Sequence, residues 1–239
     1  MHASEVSRKL SAWRLRCVPH MGMGQDRLHA IMDDNFWIMG KVILLTGAPG
    51  TGKSTLRRSL EPCIAGLQHF DYGELLLRRK HQQGSILSYS ELREQSSTVI
   101  TSADVSDTDE WVIAEMARLR IDSDVLIDSH ALTREEYGFR AIPYSSRQLV
   151  TIGLDAVIAL RCDPEALIAR VAVDPGGRRA LSVELAREIQ TLQESLCLTY
   201  AVACACTAFV IDTTERAPAE VRDIALSILK RIGVNITTL

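Results

Sequence analysis

The 239-residue chain is 46% hydrophobic and 24% charged, with a formal net charge of −3, a balance that suits one α/β domain with an ordinary core. So small a charge offers no basic field for displacing the counterions of a nucleic acid, and no nucleic-acid partner is expected. No run approaches the roughly 20 apolar residues of a membrane helix, and the first residues lack the apolar stretch of a secretory signal, so a cytoplasmic protein with no membrane partner is expected.

In chain order, residues 1–38 come first. Arg8, Lys9, Arg14 and Arg16 are scattered among Trp13, Met21, Met23 and Trp37 without a clear period. The segment reads as an N-terminal extension of unassigned role, either upstream of the true start or an Arg-bearing presequence. Short helices are expected ending near Arg16 and from Asp26 to Met32. From Lys41 the pattern changes to short apolar runs alternating with helical segments. Val42 to Thr46, Val125 to Asp128, Ala156 to Leu160 and Phe209 to Asp212 read as strands buried on both faces, and Gln68 to Tyr72 as a weaker fifth. Helices are expected over Ser54 to Leu60, Gly73 to Lys80, Tyr89 to Ser102, Asp107 to Leu119, Pro164 to Val173, Ser182 to Ala203 and Ala217 to Ile232. Strands separated by helices imply right-handed crossovers and a parallel sheet covered on both faces. The six cysteines show no CxxC pairing and read as reduced thiols, with Cys204 and Cys206 as small core fillers in an apolar run.

The first strand runs into Gly47-Ala48-Pro49-Gly50-Thr51-Gly52-Lys53-Ser54, followed by Thr55. This is GxxxxGK[ST] between a strand and a helix, the P-loop pattern. Its glycines let backbone N–H groups converge on phosphates at a helix N-terminus; Lys53 would reach the β- and γ-phosphates of ATP and the Ser54 hydroxyl would reach Mg²⁺. Asp128, closing the run Val125-Leu126-Ile127, sits where a carboxylate holds Mg²⁺ directly or through water. No NKxD guanine-reading motif occurs, and the chain is short for a motor. Arg161 ends a strand, and Arg170, Arg178 and Arg179 bracket Asp174-Pro175-Gly176-Gly177, a turn able to hinge a lid.

Three stretches together resemble the archaeal-type adenylate kinases, a branch of the nucleoside monophosphate kinases: Met39 to Thr55; Phe70-Asp71-Tyr72-Gly73-Glu74-Leu75; and Val125 to Ala131 with Gly138-Phe139, Pro143, Gly153 to Leu160 and Asp163-Pro164-Glu165. The resemblance covers roughly residues 39–232. It implies a P-loop NTPase fold with a five-stranded parallel sheet and helices on both faces, so that 39–239 form one kinase domain. A small helical flap at about 73–120 would close on the monophosphate, and a short lid at about 173–182 would close over ATP. It further implies that Arg170, Arg178 and Arg179 contact the ATP phosphates and the transferring group. On the acceptor side Tyr72 and Gly73 would border the monophosphate, most simply AMP, with Arg78 or Arg79 at its phosphate. His130 would lie beyond Asp128 at the carboxyl end of the sheet, and Arg134 and Arg140 in the loop that follows. Two stretches depart from the family pattern: Ala180 follows Arg179 where an acidic residue is usual, and residues 96–109 are rich in Ser, Thr and Asp. Two other functions remain open: an ATPase switch acting on a protein or ribonucleoprotein partner, and a kinase of another small metabolite. A hydroxyl acceptor in the latter would need Asp71 or Asp128 as base.

Overall fold

The computed structural model describes residues 39–88, 91, 100–135, 138–141, 144–173 and 181–237. The extension of residues 1–38, most of the helix expected from Tyr89, and the turn at 174–180 lie outside them. Five parallel strands form the main sheet in the order β2 (Gln68–Asp71), β3 (Val125–Asp128), β1 (Val42–Gly47), β6 (Ala156–Arg161), β7 (Thr207–Asp212). The three central strands are apolar and buried almost throughout, because helices cover both of their faces. The edge strand β7 differs from the expectation of two buried faces: Thr207 and Val210 are exposed, since no strand pairs beyond it among the described residues.

Alternation along β1 divides the core. Ile43 and Leu45 face α1 (Lys53–Leu60) and α7 (Pro218–Arg231), packing with Leu56, Leu60, Ile158, Ile211 and Val221. Val42 and Leu44 face the other layer, which holds α3 (Ser102–Leu119), α4 (Ser146–Ile152) and α6 (Val183–Cys204) through Val112, Met116, Leu149, Cys197 and Tyr200. Cys204 and Cys206 pack against this layer. Each fully buried aliphatic side chain here contributes about 1.5–3 kcal/mol. A smaller cluster of Ala48, Leu167, Val171, Ala186 and Ile189 lies at the carboxyl end of the sheet, where α5 (Pro164–Ala172) meets α6. No helix among the described residues is long and apolar enough to cross a membrane.

Two elements are corrections to the sequence reading. Arg134 and Arg140 do not lie in a loop but on an antiparallel hairpin, β4 (Leu132–Glu135) and β5 (Gly138–Ala141), a second two-stranded sheet. Ser102 does not end a helix but begins α3, because Thr101 caps that helix through a reciprocal hydrogen-bonded box with Asp104. α2 (Tyr72–Gln82) starts one residue earlier than expected, where the Asp71 carboxylate accepts from the Glu74 N–H.

At the amino end of the strands an ionic cluster around the buried Arg120 ties four segments together. Arg120, 3% exposed, donates to the Ile152 and Gly153 carbonyls at 3.1 and 3.2 Å and to Asp155 at 3.1 Å. Asp155 also accepts the Val42 N–H at 3.0 Å and pairs with Lys41 at 3.5 Å. The Lys41 N–H binds Asp124.

Candidate functional site

In this sheet the connection after β1 leads to β2 on one side, whereas the chain after β3 crosses to β6 on the other. Neighbouring strands whose connections diverge leave a crevice at their carboxyl ends, and ligands gather there. A cavity of about 770 Å³ opens at that point.

Its floor is the loop from Gly47 to Thr55. Gly47 (φ 150°) passes so close to β6 that a Cβ would meet the Leu160 carbonyl at 2.6 Å. Gly52, left-handed at φ 98°, turns the chain into α1 with no side-chain cap, leaving the first-turn N–H groups to an outside acceptor. Thr51 braces the turn by donating to the Ala48 carbonyl at 2.8 Å. Ala48 to Leu56 all line the cavity, and Gly47 lies just behind them. Lys53 is 8% exposed; its ammonium donates to the Gly47 carbonyl at 2.9 Å and lies 3.2 Å from His130 Nδ1. His130 Nδ1 is also 3.0 Å from that carbonyl. Ser54 and Thr55 are exposed on the cavity floor.

Asp128 sits beside them at the end of β3, 6% exposed and paired across the ladder with Asp71 of β2. Burial pushes its carboxyl above the usual range; Lys53 opposes that, Asp71 adds to it, and Arg57 opposes it again. Arg57 Nε lies 3.9 Å from the Asp128 carboxylate. Ser54 and Asp128 thus bring oxygen donors to one wall, the donor type that a hard dication such as Mg²⁺ takes.

The cavity extends in two directions. Toward α5 and the connection from β7 to α7 it is lined by Arg170, Thr213, Arg216, Pro218 and Val221. Arg170 spends three hydrogen bonds on Thr213 and Thr214, to the Thr213 hydroxyl at 3.0 Å and to the two carbonyls at 2.7 and 3.2 Å. Arg178 and Arg179 lie outside the described residues, as does most of the expected lid. Toward α2 and α3 the lining is Asp71, Tyr72, Gly73, Leu76, Ile100 and Val105, and Leu132, Thr133, Arg134 and Arg140 of the hairpin also line the cavity. Arg78 is not brought there: it is exposed on α2 and absent from the cavity wall, and its neighbour Arg79 pairs with Asp107 at 2.7 Å.

Tyr72 owes its position to a buried carboxylate. Its hydroxyl donates to Asp109 of α3, whose second oxygen accepts from Gln148 of α4 at 3.2 Å, and its ring packs edge-on against Tyr144. Burial raises the Asp109 carboxyl to about 6, against the two hydrogen bonds that lower it. The folded state therefore holds this proton more tightly than the unfolded chain, so Asp109 favours folding at low pH, and the contribution is lost as pH rises from about 4 through 6. Asp104, one turn earlier, runs the other way: burial opposes its charge, but Lys80 and Thr101 outweigh it and hold the carboxyl below its ordinary range. The unfolding free energy of the wild type minus that of Asp109→Asn should fall as pH is raised from 4 to 7 in denaturant titrations; a pH-independent difference would contradict the placement of the proton.

Several lining residues escaped sequence reasoning. Thr213, Arg216 and Pro218 follow the last strand, and the Pro218–Glu220 helix start marked that turn. The apolar wall of Leu76, Ile100 and Val105 belongs to helices whose periodicity does not distinguish a pocket from a core.

The parallel sheet, the phosphate loop and the carboxylate beside it define a P-loop NTPase of kinase-like fold. The chain belongs to the AAA_17 family, described as an AAA domain, which matches residues 46–190, well over half its length. Its sequence relatives lie among adenylate kinase-like proteins. An adenylate kinase of Pyrococcus abyssi is 26% identical over 158 residues, 65% of this chain and 76% of that protein. One of Methanopyrus kandleri is 23% identical over 180 residues, 73% and 90% of the two. Among solved structures, a tunicamycin resistance protein of Deinococcus radiodurans superposes with a TM-score of 0.54 at 15% identity, covering 84% of this chain and 99% of that one. A sugar kinase from Janibacter sp. HTCC2649 gives 0.50 at 16% identity, with the same coverage.

Proposed function

We propose that the chain is an ATP- and Mg²⁺-dependent phosphotransferase whose acceptor is a nucleoside monophosphate, AMP in the first instance. The observation that carries this is one cavity with two ends, one floored by the loop of Lys53 and Ser54, the other walled by Tyr72, Leu76, Ile100 and Val105 with Arg140 at its rim. Adenylate kinases among the sequence relatives support the same choice.

On this reading the loop N–H groups and Lys53 bind the ATP phosphates, and Lys53 stabilises charge as the γ-phosphoryl group moves in line between the two nucleotides. Ser54 and Asp128 would hold the Mg²⁺, which would offset the charge of the phosphates. His130 fixes the Lys53 ammonium. Arg170, braced on Thr213, serves the donor end, and Arg178 and Arg179 belong to the lid over it. Tyr72 and Gly73 border the acceptor, with Arg140 at its phosphate; α2 and α3 form the flap. No side-chain base is required, because an acceptor phosphate is already ionised. The cytoplasm, where both nucleotides are plentiful, is the setting this implies.

One observation favours a second reading. Asp71 lines the cavity beside Asp128 on the neighbouring strand, where a carboxylate repels an acceptor phosphate but suits a hydroxyl whose proton must be removed. A coupled ADP-release assay with ATP, Mg²⁺ and panels of nucleoside monophosphates and sugars separates the two. Stimulation by a monophosphate, undiminished in Asp71→Asn, supports the first. Stimulation by hydroxyl acceptors alone, lost in Asp71→Asn with ATP affinity kept, replaces it with the second. Hydrolysis without any acceptor would favour an ATPase switch acting on a protein partner.

A further inference from the structure

The hairpin β4–β5 has two faces, and its register decides which arginine belongs to which. Arg134 stands opposite Phe139 and Thr133 opposite Arg140. Residues directly opposite in an antiparallel pair leave on the same face, and successive residues leave on opposite faces. Arg134 therefore shares a face with Leu132 and Phe139, whereas Arg140 shares the other with Thr133.

The two faces look toward different ends of the cavity. Phe139 packs against the cluster of Ala48, Leu167, Val171 and Ile189, which borders the phosphate loop. Arg140 reaches the opposite way, its guanidinium donating to the Ile100 carbonyl at 3.4 Å beside the start of α3. Both arginines nevertheless line the cavity.

We infer that the hairpin is a partition that gives one arginine to each ligand, Arg134 to the polyphosphate on the loop and Arg140 to the anionic group of the acceptor. The assignment rests on the phosphotransferase reading above and deepens it. Arg134 is better placed for charge than Arg170, three of whose five N–H groups are already engaged by Thr213 and Thr214. Arg134 is exposed, and no carboxylate among the described residues forms an ion pair with it. A guanidinium with its fork open can meet two phosphate oxygens at once, which a point-charge ammonium cannot. The partition also answers a geometric requirement of in-line transfer. The two phosphates must approach closely, and a cation from each face of one short hairpin neutralises both without a separate loop for each.

The test uses the full chain, wild type, Arg134→Gln, Arg140→Gln and Arg134→Lys, each first shown to keep the wild-type melting temperature. Calorimetry is run separately with Mg²⁺ and the non-hydrolysable analogue AMP-PNP, and with AMP. Arg134→Gln should weaken AMP-PNP by about 10-fold or more and leave AMP within about twofold; Arg140→Gln should do the reverse. Arg134→Lys should recover part of the AMP-PNP affinity. The partition is overturned if the two variants weaken both ligands alike, exchange their effects, or change neither. Should the wild type bind AMP-PNP but no monophosphate, the acceptor reading fails by itself. The partition then stands or falls on whether Arg134→Gln, and not Arg140→Gln, weakens AMP-PNP.

Discussion

Lys53→Ala should lower turnover by roughly 10³-fold while leaving a folded protein. Lys53 is 8% exposed and lines the cavity floor, its ammonium held by the Gly47 carbonyl and His130. A charge held in place before the reaction costs no reorganisation as the phosphoryl group moves, and its removal leaves nothing of equal reach on the floor. Stability should change by only about 1–2 kcal/mol, because the truncation removes the donor and leaves the Gly47 carbonyl close to His130 Nδ1 at 3.0 Å. Nucleotide affinity should fall less than turnover, since the loop N–H groups still bind phosphate. Single-turnover kinetics beside a thermal melt read both quantities. A folded mutant with turnover near that of the wild type would show that the loop is not where chemistry occurs.

The largest loss of stability is expected at the other end of the strands. Arg120→Met should cost about 3–5 kcal/mol, because it takes the guanidinium partner away from the Asp155 carboxylate, whose side chain is only 10% exposed. For a chain of this size that corresponds to a fall of about 10 °C in melting temperature. Below the melt, turnover should be unchanged, since the cluster lies at the amino ends of the strands and the cavity at their carboxyl ends. Adding Asp155→Leu should recover part of the loss, as the orphaned charge goes with it. A melt within about 2 °C of the wild type for Arg120→Met would mean that water, not Arg120, neutralises Asp155.

The contrast between these two ends explains which features can be read from sequence. β1 and β3 were legible because strands buried on both faces are nearly continuous apolar runs, and the phosphate loop because its glycines, lysine and hydroxyl come at fixed spacing between strand and helix. The hairpin was not. Leu132-Thr133-Arg134-Glu135 and Gly138-Phe139-Arg140-Ala141 are four-residue strands carrying charge on a partly exposed sheet, so their alternation resembles a polar loop. α4 was missed for its length of 7 residues, although Ser145 and Gln148 form a capping box whose S-x-x-Q spacing was available. The Arg120 cluster joins residues far apart in the chain, and no local pattern carries that pairing. The fold's outline therefore followed from local periodicity, and the cavity's polar rim from long-range contacts.

Thr213 has a consequence for synthesis of the chain. Its hydroxyl lies 3.2 Å from the Thr51 carbonyl of the phosphate loop and 3.1 Å from the Arg161 carbonyl, while Arg170 clasps it from α5. A ribosome-bound nascent chain that has emitted the glycine loop, β3 and even β6 still lacks the residue that closes the loop's far side. Nucleotide capture should therefore begin late in translation, once β7 has left the exit tunnel, so the ligand cannot template the early stages of folding.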